Sequence, residues 1–186
     1  MRLTIAKRLV PVTVAAIIGV TLMAGVGLTM NDKIYDRTNN ANKTVIPALL
    51  LLDDIRKNFL LSRALAYRAV FSPENSNTEI LSNKLSEYRQ KIEEAVDKYE
   101  FNGCSETSCI TDDTEKKYHY QEKTLLSEFN NTLAQAMTNV RNGQIGRAQS
   151  ALLESNDVSD KLQIIFEQHQ KYNVIAGNRI AQQGID

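Results

Sequence analysis

An uncharged apolar run near the amino terminus most constrains how this chain can fold. Leu9 to Met30 gives 22 residues without a charged side chain. As a helix, this run would be about 33 Å long, enough to cross a hydrocarbon core of about 30 Å. A cleavable signal peptide usually has an apolar region of only about 7 to 15 residues. We therefore expect an uncleaved transmembrane anchor, with cleavage within the Ala24–Gly27 stretch as the alternative.

The charges on either side of this run set its orientation. Arg2, Lys7 and Arg8 precede the run, whereas all 22 acidic residues follow it. The end with the cations normally stays in the cytoplasm. We predict that residues 1–8 are cytoplasmic, that 9–30 span the bacterial inner membrane, and that 31–186 lie in the periplasm. The formal net charge of zero also argues against a nucleic-acid partner.

Beyond the anchor, apolar residues recur at steps of four and three, the spacing of one helical face. The pattern occurs in four segments: Ala48, Leu52, Ile55, Phe59, Ser62, Ala66 and Ala69; Leu81, Leu85, Tyr88, Ile92, Ala95 and Tyr99; Leu126, Phe129, Leu133, Ala136 and Val140; and, less regularly, Ala148, Leu152, Val158, Leu162, Ile165, His169, Tyr172, Ala176 and Ile180. With three Pro and eight Gly, the chain has few helix breakers. These patterns predict an all-α fold.

Turn signals separate the four segments. They are two capping boxes, Ser76 with Glu79 and Asp112 with Glu115, and two helix-ending pairs, Asn102-Gly103 and Asn142-Gly143. Pro47 is expected to bend the first of the four helices. The short connections predict an antiparallel up-down-up-down four-helix bundle, whose first helix continues from the transmembrane helix.

Two cysteines lie in the connection between the second and third bundle helices. Cys104 and Cys109 are separated by four residues. Cysteines that face an oxidising compartment tend to pair. We predict a local disulfide that holds this turn, and a redox-sensing thiol pair is the alternative.

The two histidines do not form a recognisable metal or haem motif. His119 and His169 fit none of the patterns Glu-x-x-His, His-Glu-x-x-His or Cys-x-x-Cys-His. We interpret His169, on an apolar seam, as a hydrogen-bonded structural residue, and His119, between two tyrosines, as solvated. No nucleophile–base pair, phosphate-binding glycine loop or carboxylate cluster is recognisable. We therefore expect no enzymatic activity, no cofactor and no metal.

Two arginines interrupt an apolar stripe on the first bundle helix. Arg56 and Arg63 are seven residues apart and share one side of the helix with Leu49, Leu52, Leu60, Tyr67 and Val70. A buried guanidinium needs a partner, and its planar fork matches a carboxylate. We expect this stripe to meet a second copy across a symmetric dimer and to hold a small dicarboxylate or amino acid. Alternatively, both arginines pair with Asp53, with glutamates of the last helix, or with water.

The sequence also contains patterns of a known family. Besides the anchor, they are Val45-Ile46-Pro47, then Leu51-Leu52-Asp53-Asp54-Ile55-Arg56 followed by Arg63, and Asn142-Gly143-Gln144 leading into Ala148, Leu152 and Leu153. In these patterns and in its layout the chain resembles the four-helix-bundle ligand-binding domain of methyl-accepting chemotaxis receptors, the group of the aspartate and serine receptors. The resemblance extends over nearly the whole chain.

This resemblance implies a homodimer with a ligand pocket between the two subunits. Arginines of the first bundle helix and polar groups near the start of the last helix would line it. The matching positions here are Arg56, Arg63 and Arg68, with Tyr67 on the same stripe, and Ser155 and Asn156. Such receptors signal by a small displacement of the last helix. We expect the second membrane span and the cytoplasmic signalling part to follow Asp186.

The first function hypothesis is therefore a periplasmic domain that senses a small, anionic ligand for a transmembrane chemoreceptor. A second keeps the fold but attaches it to a histidine kinase or a cyclic-nucleotide enzyme. A third is a bundle that binds a periplasmic partner, such as a binding protein, without a small ligand.

Overall fold

The computed structural model describes residues 5–72 and 77–182, which form α-helices joined by short connections. The elements are α1 (Ile5–Asn40), a π-helical segment (Ala41–Val45), α2 (Ile46–Phe71), α3 (Thr78–Phe101), α4 (Asp113–Arg141) and α5 (Ile145–Gln182). These ranges contain no β-strand, so the all-α prediction is confirmed. Arg2 and Ser76 lie outside the described residues, as does the side chain of Ile180.

The helices α2 to α5 form an antiparallel four-helix bundle, and α1 leads into it through the π-helical segment without a break. In the bundle, α2 packs against α3 and α5, and α4 packs mainly against α5. Among the described residues, one stretch of α1, Thr13–Asn31, is long and apolar enough to cross a membrane. Its mean hydropathy is 2.0, and none of it is buried against the rest of the protein.

The predicted seams form the core of the bundle. All seven seam residues of α2 and all five of α4 are buried. At the centre, the ring of Phe59 lies 4.8 Å from that of Phe129 and 6.1 Å from that of Phe166. The seam of α5 was predicted less well, because Phe166 is buried whereas Ile165 is only half-buried. The buried positions of α5 follow regular steps of four and three, but Ser155 and Ser159 occupy two of them, so the apolar residues alone did not show this seam.

Polar caps and one left-handed glycine end the helices. The side chain of Asp112 accepts hydrogen bonds from the backbone amides of Thr114 and Glu115, as predicted. At the start of α3, Asn77 is the capping residue. Gly143 has φ +70°. The backbone amides of Gly143 and Gln144 donate to the carbonyls of Val140 and Asn139. This is the Schellman pattern, which favours glycine because its φ is positive.

Pro47 is the second residue of α2, just after the π-helical segment. Proline has no amide hydrogen, so the carbonyl of Lys43, four residues earlier, loses its usual helical donor. The hydroxyl of Ser105, in the loop between α3 and α4, donates to this carbonyl at 3.1 Å. The loop between α3 and α4 therefore supports the chain where it enters the bundle.

The cysteine loop packs closely against the same region. The sulfur atoms of Cys104 and Cys109 lie 2.11 Å apart, at bonding distance. The Cys104 sulfur also lies 3.1 Å from the carbonyl oxygen of Thr44. At the S–S distance of 2.11 Å this sulfur has no hydrogen to donate, so this is a van der Waals contact. A Cβ added to Gly103 would come within 2.6 Å of the backbone carbonyl oxygen of Lys98, which cannot move aside as Leu51 Cδ1 can, so the turn that ends α3 requires glycine here.

Candidate functional site

The predicted ligand residues Arg63, Tyr67 and Asn156 meet where α2 and α5 lie side by side. Asn156 Oδ1 accepts a hydrogen bond from Arg63 Nη2 at 3.1 Å and another from the Tyr67 hydroxyl at 2.5 Å. The Arg63 guanidinium lies 5.8 Å from the centre of the Tyr67 ring, within cation–π range. All three side chains are half-buried. The arrangement therefore holds a cation and two polar groups at a partly desolvated surface.

Arg56 lies two helical turns before Arg63 and also points to α5. Its guanidinium is 3.5 Å from Glu167 Oε1 and 3.5 Å from Gln170 Oε1. An ion pair with a glutamate of the last helix is one of the alternatives that the sequence left open. Because the Glu167 side chain is 64% exposed, solvent screens this pair, and it contributes little to stability. The Nε atom of Arg56 is buried, and the described residues give it no hydrogen-bond partner.

The structure does not bring the two other predicted ligand residues to this cluster. Ser155 is buried in the bundle, and its hydroxyl donates to the carbonyl of Leu152 at 2.7 Å. Arg68 is exposed on α2. It lies five positions after Arg63, which turns it by roughly 140° around the helix.

A second polar cluster is buried between α3, α4 and α5 and was not predicted. It consists of Tyr99, Glu115, His119, Glu122, His169 and Asn173. The Tyr99 hydroxyl lies 2.6 Å from Glu115 Oε1 and 3.0 Å from His169 Nε2. His169 Nδ1 lies 3.0 Å from Glu122 Oε1. A buried imidazole is thus held between two buried carboxyl groups.

The surroundings of this cluster shift the pKa values of its members in opposite directions. Burial acts to raise the pKa of Glu115, but the imidazolium of His169, 3.8 Å away, and hydrogen bonds from Tyr99 and Thr111 outweigh it and lower that pKa to about 2. Burial acts to lower the pKa of His169, but Glu115 and Glu122 raise it to about 9. Burial raises the pKa of Glu122. Burial also raises the pKa of Tyr99, and the negative charge of Glu115 raises it further.

His119 belongs to the edge of this cluster, and the prediction that it is solvated was wrong. It is buried, and its ring stacks on Tyr99 at 5.3 Å between centroids. Its Nε2 lies 3.5 Å from Glu100 Oε2, too far for a good hydrogen bond. Burial lowers the pKa of His119, so it is neutral near pH 7. The sequence neighbours of His119, two tyrosines, did not indicate this burial. Burial depends on which face of α4 the residue occupies.

The comparison with protein families decides what this bundle is. The family described as the four helix bundle sensory module for signal transduction matches residues 2–184. The chain belongs to this family. Neither the comparison with curated proteins nor that with solved structures gave a significant match. The resemblance to the sensory domain of methyl-accepting chemotaxis receptors is thereby confirmed, and the family is a sensory rather than a catalytic module.

In this sensory module, a sequence signal for the buried cluster did exist. Glu115, His119 and Glu122 stand four, three and four residues apart up to Leu126, so they continue the apolar seam of α4. His169 and Asn173 continue the seam of α5 in the same way. Polar residues at seam positions must find partners inside a bundle. Among the described residues, no group of three or more His, Cys, Asp or Glu is arranged to hold a metal ion.

Proposed function

We propose that this sensory module is the periplasmic, ligand-sensing part of a bacterial transmembrane chemoreceptor. It binds a small anion at the interface of a homodimer and signals by displacement of α5. The observation that carries this proposal is the contact of Asn156, on α5, with Arg63 and Tyr67, on α2. It joins the predicted ligand residues to the helix that would transmit the signal.

The chemistry of this contact favours an anionic ligand. A guanidinium has five N–H donors in a planar fork, and the one hydrogen bond shown for Arg63 among the described residues goes to Asn156. A carboxylate accepts two parallel hydrogen bonds from such a fork and binds it more strongly than a neutral amide does. A ligand carboxylate at Arg63 would therefore compete with Asn156, and the hold of α2 on this part of α5 would change.

The outward face of α2 supports the dimer. It exposes five large apolar side chains: Ile46, Leu50, Leu60, Leu61 and Phe71. Leu50 is 62% exposed, so a second bundle that packs on this face would remove apolar surface from water. Arg63 and Tyr67 lie at the edge of the same face. In a symmetric dimer, each subunit would bring its own Arg63 to the interface.

Two further features support the periplasmic location. The apolar stretch of α1 is long enough to span a membrane, and the cations at residues 2, 7 and 8 precede it. The paired sulfur atoms of Cys104 and Cys109 suit an oxidising compartment. We infer that the anchor remains on the protein and that the cysteines form a disulfide there.

The test is a thermal-shift screen of the full chain in detergent against organic acids and amino acids. A ligand at a hundred times its Kd stabilises the folded state by about 2.7 kcal/mol, which raises Tm by about 5 to 10 °C in a chain of this size. Arg63→Ala should abolish this shift. Arg89→Ala is the matched control, because Arg89 is exposed on α3 and pairs there with Glu93. It should keep the shift.

Light scattering of the same samples reports the oligomeric state. A monomer with and without ligand, or a shift that survives Arg63→Ala, would contradict the shared pocket. If no organic acid or amino acid shifts Tm, the proposal of a small anionic ligand is wrong. The bundle would then be assigned to binding a periplasmic partner protein.

A further inference from the structure

We propose that Glu122 and His169 form a buried proton-binding site that fastens α5 to α4 and releases it as the pH rises. The ligand of this site is the proton itself. The site is separate from the Arg63 cluster, and its existence does not depend on the proposed function.

Counting hydrogens on Tyr99 shows which protons the site holds. A tyrosine hydroxyl has one hydrogen, and the 2.6 Å contact assigns it to Glu115 Oε1. The hydroxyl oxygen must therefore accept from its other two neighbours, His169 Nε2 at 3.0 Å and Asn173 Nδ2 at 3.1 Å. His169 thus carries a hydrogen on Nε2.

The other nitrogen of His169 faces a carboxyl group. The distance from Nδ1 to Glu122 Oε1 is 3.0 Å, so one proton lies between these two atoms, on either the nitrogen or the oxygen. If that proton leaves, the nitrogen lone pair faces a carboxylate, and two repelling acceptors remain. Both side chains are fully buried, and Glu122 Oε2 has no partner among the described residues. Water cannot easily replace the lost hydrogen bond at this buried place. Loss of the proton therefore opposes the contact of α4 with α5.

The pKa values of Tyr99, Glu115, His119 and Tyr172, which surround the site, are shifted away from that of His169. The titratable side chains around it are Tyr99 on α3, Glu115, Tyr118 and His119 on α4, and Tyr172 on α5. The pKa of Glu115 is about 2. The pKa of Tyr172 is raised to about 12, because its hydroxyl donates a hydrogen bond to Asp112. Glu100 on α3 and Lys123 on α4 pair with each other at the rim, beside His119. From α2, the apolar Ala48 and Leu52 pack against Tyr99.

The sign of the pH dependence follows from the two partners. The pKa of His169 is raised to about 9, above the value of about 6.5 for an unfolded histidine. The pKa of Glu122 is raised as well. The folded protein therefore holds the proton more tightly than the unfolded chain does. The stabilisation is complete below about pH 6.5 and is lost as the pH rises through about 9.

The place of this site in the bundle suggests a consequence for signalling. His169 and Asn173 lie in the second half of α5, towards its end at Gln182. If α5 transmits the signal, as proposed above, then loss of the proton weakens the packing of the carboxyl-terminal half of α5 against α4. This consequence rests on the proposed function, whereas the proton site itself does not.

The test measures the proton directly by nuclear magnetic resonance of the imidazole groups in the full chain in detergent. His119→Gln leaves one histidine and so assigns the His169 resonances. The His169 midpoint should lie well above 6.5, near 9. In Glu122→Gln, which keeps the shape and an acceptor but not the charge, the proton affinity should fall at least about tenfold, one pH unit.

A second measurement covers the coupling to the fold. The Tm of the wild type should fall between about pH 7 and pH 10, and Glu122→Gln should flatten this dependence. Glu93→Gln is the matched control, because Glu93 is an exposed carboxylate that pairs with Arg89 on α3. This variant should keep the pH dependence of Tm. A His169 midpoint at or below 6.5, or one that Glu122→Gln leaves unchanged, would overturn the site. A pH-independent Tm would overturn the fastening of α5.

Discussion

Reduction of the proposed disulfide between Cys104 and Cys109 tests how strongly the loop between α3 and α4 supports the bundle. Cys104 and Cys109 are five positions apart. For so short a loop, the loss of chain entropy in the unfolded state corresponds to about 2 kcal/mol of stability. The native contacts need not change on reduction, because both sulfur atoms stay buried against Ala48 and Leu52. We therefore expect reduction to lower the free energy of unfolding by about 2 kcal/mol, because the reduced unfolded chain has more conformational entropy.

The assay is urea unfolding of the full chain in detergent, followed by helix content, with and without a phosphine reductant. At a slope of about 2 kcal/mol per molar urea, the midpoint should fall by about 1 M on reduction. The double variant Cys104→Ala, Cys109→Ala should unfold near the reduced midpoint or below it, and the reductant should not affect it. An unchanged midpoint, with two thiols titrated after reduction, would refute the account. The loop would then be held by its contacts with α2 alone.

Two other predictions concern packing. Gly103→Ala should destabilise the bundle by about 1 to 3 kcal/mol, because the new methyl group collides with the backbone carbonyl of Lys98. Gly146→Ala meets no atom within 4 Å and should instead stabilise it by about 0.5 kcal/mol in the same unfolding assay. Phe59→Ala should cost about 3 to 5 kcal/mol, since its fully buried ring contacts aromatic rings of both α4 and α5. A loss below about 1 kcal/mol would mean that the three-ring cluster is not the centre of the core.

Local patterns were sufficient where the physics is local. The seam of α2 follows from the spacing of Ala48, Leu52, Ile55 and the residues after them, and every member is buried. The cap at Asp112 and the left-handed turn at Gly143 depend on residues within one helical turn, and both are present as predicted. Such features need no knowledge of which helices become neighbours.

The candidate sites were predicted only in part, because their partners are far apart in the chain. Arg63, Tyr67 and Asn156, three of the proposed ligand residues, meet in the structure, although 93 positions separate Arg63 from Asn156. Ser155, next to Asn156, turns into the core instead, because neighbours on a helix point about 100° apart. Arg56 engages Glu167, a pairing that the sequence offered as one alternative among several.

The amino-acid sequence by itself determined the helices of this protein, the apolar stretch at its amino terminus and the faces that pack together, since helix periodicity and hydropathy depend on residues near one another. Only the tertiary structure decided which polar groups share a buried site. His169 and Tyr99 are 70 positions apart, yet they share a hydrogen bond inside the bundle. The pKa of a buried group depends on such neighbours, and these exist only once α3, α4 and α5 have packed together.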